Sequence, residues 1–362
     1  MSDGSTTASA QAPLAIDGPT NDGPTSAAAI GASPLTHAPF APPAWLANAH
    51  LQSIVPSLRL RRPLIARRAR HVLGCSKEYI LDCGDGVRLL GHHSSQQAAG
   101  RAPGKDLIVL LHGWEGSSDS PYVLSLASHL FERGCDVFRL NFRDHGPSHH
   151  LNQDIFHSCR LDEVVGAVRR VQQMFPEQRL SVAGFSLGAN FALRIAASVP
   201  ASGLRLERAI AICPVLRPHS TMDVLENSWS VYQQYFIAKW KQSLRIKQRL
   251  FPQAFDFSSI LQQRSIRTMT QILVECYSDF ADLDAYLNGY AIVGAALASL
   301  QVPSHILFAL DDPIIPAHDL KDLARTPYLH INAVPRGGHC GFMDRFTGES
   351  WADRQVGLLM RP

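Results

Sequence analysis

From residue 77 onward the apolar residues fall into two alternating spacings, and each predicts a different element. Residues 77–82 and 87–92 alternate apolar and polar around Gly84-Asp85-Gly86, which predicts a hairpin. Residues 107–111 form a short continuous apolar run, the pattern of a strand covered on both faces. Helical spacing over 121–133 and 161–175 encloses a strand at 136–140, and a strand at 179–183 runs into a helix over 187–198. A strand at 208–212 follows. After an interruption come a strand at 304–310, a helix at 318–325, a strand at 328–334 and a C-terminal helix. This alternation predicts a mostly parallel central sheet with helices on both faces.

The flanks and the interruption read differently. Residues 1–38 are rich in Ser, Thr, Ala, Gly and Pro and are expected to be a disordered tail ahead of a domain spanning 39–362. Prolines mixed with Phe40, Trp45 and Leu46 predict an extended segment anchored on the core. Six arginines between 59 and 70 read as a solvated arm; such a run also suits peripheral contact with anionic lipid. Residues 214–300 hold no strand pattern. Trp229, Tyr232, Phe236, Trp240 and Leu244 recur there at steps of three and four, the stripe of a helix. The insert is read as a helical cap. Its stripe either packs the cap on the core or, through Trp229 and Phe236, lines a substrate pocket.

Composition narrows the partners. A net charge of +3, with no basic-aromatic repeat, gives no case for nucleic acid. No apolar run is long enough to span a membrane, and the first basic residue, Arg59, comes too late for a signal peptide or presequence, so a cytoplasmic protein is expected. Seven scattered cysteines without C-x-x-C spacing predict neither disulfides nor a zinc site.

The strongest chemical signal is Gly184-Phe185-Ser186-Leu187-Gly188, between a strand and a helix. A serine hydroxyl is a weak nucleophile until it is placed within reach of a base, and a sharp strand-to-helix turn lifts it above a sheet edge. The helix that follows aims its first amides where negative charge develops in acyl transfer. The Leu187 amide is therefore one oxyanion-hole donor, and the Trp114 amide in His112-Gly113-Trp114-Glu115-Gly116-Ser117 is the second. The predicted strand 304–310 ends in Asp311-Asp312-Pro313, and 328–334 leads into Gly337-Gly338-His339. The order Ser, Asp, His makes Ser186 the nucleophile and His339 the base. Two aspartates compete for the orienting role, and Pro313 with the Ile314-Ile315-Pro316 that follows matches the common fold pattern that favours Asp312 over Asp311. His112 reads as a structural pin of its loop. His145, His149, His150 and His157 lack the spacing of a metal site.

These residues resemble the AB hydrolase 4 family, the YheT-like α/β-fold hydrolases. The resemblance spans about residues 38–362. It rests most specifically on the run from Pro42 to Ile54, which reads Pro-Pro-Ala-Trp-Leu-Ala-Asn-Ala-His-Leu-Gln-Ser-Ile. Asn141-Phe142-Arg143, Phe156-His157-Ser158 and the motifs above also match. It implies an α/β-hydrolase fold, ester hydrolysis and the triad Ser186, Asp312, His339. Two stretches depart from the family pattern, Asp144-His145-Gly146 and 289–296, and both are expected to flank the cleft.

The function expected is a serine esterase that needs no cofactor and acts on a small acyl ester with an apolar acyl chain. The alternatives are an acyltransferase using the same acyl-enzyme, for which His339 and Asp344 offer an H-x4-D spacing, and a catalytically silent binding protein.

Overall fold

The computed structural model describes residue 1, residues 40–58 and residues 61–361. The tail expected over residues 1–38 lies outside the described residues except for Met1, and so does Arg59.

Eight strands form one sheet in the order β1-β2-β4-β3-β5-β6-β7-β8. They are β1 (Ser76–Asp82), β2 (Arg88–Ser94), β3 (Asp106–Leu111), β4 (Asp136–Leu140), β5 (Arg179–Phe185), β6 (Arg208–Ile212), β7 (Ser304–Ala309) and β8 (Leu329–Val334). The first hairpin joins the rest antiparallel through β2 and β4, and all other pairs are parallel. The two-residue period sorts β3 cleanly. Leu107, Val109 and Leu111 enter one hydrophobic layer, while Ile108 and Leu110 enter the other. That is why its sequence is apolar without interruption.

Eleven α-helices cover the sheet among the described residues: α1 (Ala49–Ile54), α2 (Arg62–Gly74), α3 (Pro121–Phe131), α4 (Leu161–Met174), α5 (Leu187–Ser202), α6 (Pro218–Asn227), α7 (Ser230–Leu250), α8 (Ser258–Gln262), α9 (Ile266–Tyr277), α10 (Leu283–Asn288) and α11 (Trp351–Leu359). Side chains of α2, α3 and α11 share one layer with Phe40. Those of α4 and α5 share the other with α6 to α10, so the insert's core is continuous with that of the domain.

Three elements differ from the sequence reading. The segment expected to be extended contains a 3-10 turn (Ala44–Leu46) and α1, whose start is fixed by Asn48: its side chain accepts from the amides of His50 and Leu51 at 2.9 and 3.2 Å. Trp45, expected to be a buried anchor, is exposed, whereas Phe40 and Leu46 are buried. The arginine-rich stretch is a helix rather than an arm. Ile65, Ala69 and Val72 recur at steps of four and three on its buried face, and the exposed Arg67 and Arg70 lie between them, with Arg62 exposed at the helix start. Arg61 is buried, with Nε donating to the Phe346 carbonyl at 3.0 Å. The helix expected at 318–325 is only a 3-10 segment (Ala317–Asp322). Pro327 disfavours helix in the residue before it, and Arg217 draws Asp319 and Asp322 together at 3.1 and 2.6 Å.

One buried ion pair ties the insert to the sheet. Asp144 stands at φ 58, a conformation that favours glycine, just where the sequence departs from the family pattern. Its Oδ1 accepts from Lys247 Nζ of α7 at 2.8 Å, and its Oδ2 accepts from the Phe156 amide at 2.8 Å. Lys247 also donates to the carbonyls of Asn152 and Asp154 at 2.6 and 3.0 Å. Both side chains are nearly inaccessible, so removing one partner strands the other. Lys247→Met is expected to cost about 3–5 kcal/mol in urea unfolding, and the double variant with Asp144→Asn to recover a large part of it.

Candidate active site

The parallel strands end at one edge, and the residues singled out from the sequence collect there. Ser186 follows β5 directly and caps α5, with φ 54 and ψ −115. The turn is that sharp because strand and helix nearly touch. A Cβ on Gly184 would lie 2.2 Å from the Gly188 carbonyl oxygen, and one on Gly188 would lie 2.4 Å from the carbonyl oxygens of Leu111 and His112. Both positions therefore exclude any side chain. The backbone is held further by the Ser186 amide, which donates to the Ile212 carbonyl at 2.9 Å.

The loop after β3 lies against this turn. A Cβ placed on Gly113 would be 3.4 Å from Ser186 Cβ. Two buried histidines fix the loop. His112 Nδ1 donates to the Gly113 carbonyl at 2.7 Å, and its Nε2 accepts from the Phe142 amide at 3.2 Å. Burial pushes this imidazole down to about 4, so it stays neutral and keeps that tautomer. His145 does the same one loop away: Nδ1 donates to the Arg143 carbonyl at 2.7 Å and Nε2 accepts from the Glu115 amide at 3.2 Å. The Gly113 amide donates to the Tyr122 hydroxyl at 3.1 Å. Between these engaged groups, the Trp114 amide has no acceptor among the described residues, and Leu187 is the first residue of α5, whose amide has no intrahelical partner.

His339 and Asp312 meet as the chain order suggests. His339 Nδ1 lies 2.8 Å from Asp312 Oδ2, and the Asp312 side chain is fully buried. Asp312 Oδ1 accepts from the amides of Ile314 and Ile315 at 2.8 and 3.0 Å, which fixes the carboxylate. Burial is the largest influence and disfavours the imidazolium, but the Asp312 charge, the Cys340 sulfur and the hydrogen bonds to both together outweigh it and hold the His339 pKa well above the ordinary value. Asp311 serves the backbone instead. Its Oδ1 accepts from the Gly338 amide at 2.9 Å and anchors the turn before His339.

Sequence reasoning missed the clamp on that turn. Gln52 of α1, fully buried, donates through Nε2 to the carbonyls of Leu46 and Met343 at 2.9 and 2.8 Å and accepts at Oε1 from the Met343 amide at 2.8 Å. Ser53 Oγ accepts from the His339 amide at 2.8 Å. Both residues lie inside the 42–54 run that stood out in the sequence, but nothing local pointed to a partner about 290 positions away.

Two cavities open beside Ser186. The smaller, of about 100 Å³, is apolar and runs under the insert past Met222, Leu225, Trp240 and Leu273. The larger, of about 500 Å³, reaches His339 and is rimmed by polar groups including Arg62, Lys239, Gln242 and Ser243. Trp114, Phe236 and Ile314 line both. Phe236 stacks on Trp114 with ring centres 5.2 Å apart. Glu115 in the larger cavity is pushed up to about 8 by burial, against the pull of Lys239, so it is mostly protonated at neutral pH. Trp229 lines neither cavity. It is half-exposed at the cap before α7, packed against His50 and Tyr232, because the cap position faces α1 rather than the sheet edge.

The matches to known proteins agree with this geometry. A family model for the alpha/beta hydrolase fold matches residues 106–346. The chain is 25% identical over 311 residues to "Putative esterase YheT" of Escherichia coli (strain K12), across 84% of this chain and 87% of that protein. It is 24% identical over 343 residues to the embryogenesis-associated protein EMB8 of Picea glauca, across 89% and 71% of the two chains. The solved structure of the Pyrococcus furiosus esterase Pf2001 shares the fold with a TM-score of 0.53, at 15% identity, covering 80% of this chain and 93% of that one.

The two aspartates are separable by kinetics. If Asp312 orients the base, Asp312→Asn lowers kcat by about four orders of magnitude because an amide favours the wrong tautomer, while Asp311→Asn costs far less. If His339 is the base, its neutral imidazole is the active form, and kcat/KM rises with pH along a limb set by the raised His339 pKa. In the residual activity of Asp312→Asn that limb moves to lower pH, since the charge that raised it is gone. A pH–rate profile of the three proteins checks both points.

Proposed function

Because this chain belongs to the alpha/beta hydrolase family, we propose that it is a serine esterase that cleaves small carboxylic esters through an acyl-enzyme on Ser186. The observation that carries the reading is the His339–Asp312 contact at 2.8 Å beside a cavity that also contains Ser186. In the reaction, Ser186 Oγ attacks the ester carbonyl and passes its proton to His339 Nε2. The carbonyl oxygen becomes an oxyanion facing the amides of Leu187 and Trp114. Collapse expels the alcohol, which takes the proton from His339. Water then attacks the acyl-enzyme by the same route and releases the acid. Asp312 keeps the Nδ1–H tautomer and stabilises the imidazolium. The cycle needs no cofactor.

The cavities divide the substrate. The apolar one suits the acyl group and the polar one the alcohol. An engineered apolar cavity of roughly 150 Å³ holds benzene, so one of about 100 Å³ takes an acyl chain of roughly three to five carbons. Phe236 and Trp114 stand between the two spaces and select for acyl shape. Asp344, the far member of the H-x4-D spacing, is bound to Arg354, so this spacing brings no second acid to Ser186.

A fluorophosphonate probe tests the nucleophile: it labels the wild-type protein and leaves Ser186→Ala unlabelled, and labelling that survives the substitution defeats the assignment. A series of p-nitrophenyl esters tests the acyl side. Each added methylene raises kcat/KM by up to about fourfold, the equivalent of 0.8 kcal/mol, until the chain reaches about four carbons, and longer chains then lose. Leu225→Ala moves the optimum to longer acyl chains. An unchanged optimum in a stable Leu225→Ala protein removes the small cavity from the acyl role.

A further inference from the structure

We propose that Cys213, Cys340 and His339 form a binding site for a zinc-like divalent cation beside the larger cavity, and that the ion silences the enzyme by taking the lone pair of its base. The three residues come together only in the fold. Cys213 directly follows β6 and is anchored by its amide, which donates to the Leu307 carbonyl at 2.9 Å. Cys340 follows His339 on the loop after β8. One ligand atom from each lies within 4.8 Å of the others, the only such cluster of His, Cys, Asp and Glu among the described residues.

The geometry suits a borderline-soft ion. Cys340 Sγ lies 3.9 Å from His339 Nε2. Tetrahedral zinc, with Zn–S about 2.3 Å and Zn–N about 2.0–2.1 Å, sets its ligand atoms roughly 3.5–3.8 Å apart, so closure asks for shifts of about 1 Å or less. The sulfurs have only weak protein partners: Cys213 Sγ lies 3.8 Å from the Gly338 carbonyl and Cys340 Sγ 3.5 Å from the Ile212 carbonyl. His339 is already oriented as a ligand. Its Nδ1 faces the Asp312 carboxylate, which leaves Nε2 as the free donor; a carboxylate behind a histidine is how metal sites fix the ring and raise its basicity. Two thiolates and a neutral imidazole match a divalent charge, so the ion and its three ligands are neutral together, with the Asp312 carboxylate behind the ring. Each thiol loses its proton as its metal–sulfur bond forms. His339 and Cys340 line the larger cavity, which gives the ion its way in and leaves a fourth position for water.

Ion binding does not depend on the proposed function, whereas the inhibition rests on His339 being the base. The test is a titration of the full-length protein with Co2+, under a non-thiol reductant, followed by displacement with Zn2+. The wild-type protein develops a thiolate-to-cobalt charge-transfer absorption that Zn2+ removes. Cys340→Ser and Cys213→Ser each weaken Co2+ binding at least tenfold, and Asp312→Asn weakens it roughly ten- to hundredfold through the ring it supports. Ser186→Ala leaves it intact. Cys340 is only partly buried, so its variant carries the test if the Cys213 variant fails to fold. No sulfur band in the wild type, or a band of unchanged affinity in Cys340→Ser, overturns the site. With the band present, Zn2+ inhibits ester hydrolysis and a chelator restores it. A sulfur-bound ion that leaves hydrolysis untouched overturns the inhibitory role without touching the spectroscopic result, whereas the role of His339 as the base is judged separately by the Asp312→Asn pH–rate profile.

Discussion

The structure turns on the contact between β5 and α5 at the Ser186 turn. Gly184 and Gly188 bring strand, helix and the end of β3 so close that neither can carry a side chain. The chain can pass only by holding Ser186 in a sparsely populated conformation, at φ 54 and ψ −115. Such a conformation costs of order 1–3 kcal/mol and persists only where its surroundings over-determine it. Here they do so through the hydrogen bond to β6 and the two-sided burial of the sheet. The same contact points the start of α5 toward the serine, so strain and electrostatic support have one cause.

The Trp114 and His339 segments at the sheet edge are loops, and each is held by polar groups rather than by length or composition. His112 and His145 act as neutral pins, each donating from one nitrogen and accepting at the other. A buried imidazole is cheap only in that state, because both nitrogens are satisfied and no charge is desolvated. Asp311, Gln52 and Ser53 do for the His339 turn what the histidines do for the Trp114 loop. Carboxylates next to each other in sequence thus divide the work: one fixes the backbone before His339 and the other fixes its ring.

The insert joins this frame by two kinds of contact. Apolar side chains of α6 to α9 merge with the core, and the Asp144–Lys247 pair sets where α7 lies on the sheet edge. The apolar stripe of α7 consequently splits. Tyr232, Trp240 and Leu244 are buried, Phe236 reaches Trp114 beside Ser186, and Trp229 turns outward to His50. A stripe records which side of a helix is covered, not what covers it.

By itself the sequence determined the order of the strands along the chain, the helices between residues 121 and 202, the Ser186 turn and the chain positions of Asp312 and His339. These are local matters: apolar period, glycine at a crowded turn, and a carboxylate and a histidine at strand ends. It also pointed to the 42–54 run and to the Asp144 departure without giving either a reason. Tertiary structure alone decided that α1 clamps the His339 turn, that the arginine-rich stretch is a packed helix, and that Phe236 rather than Trp229 reaches the cavities. It also brought Cys213 within reach of Cys340, 127 positions on. Those facts depend on parallel strands placing distant chain ends at one edge, and no periodicity within a segment carries information about what another segment lays against it.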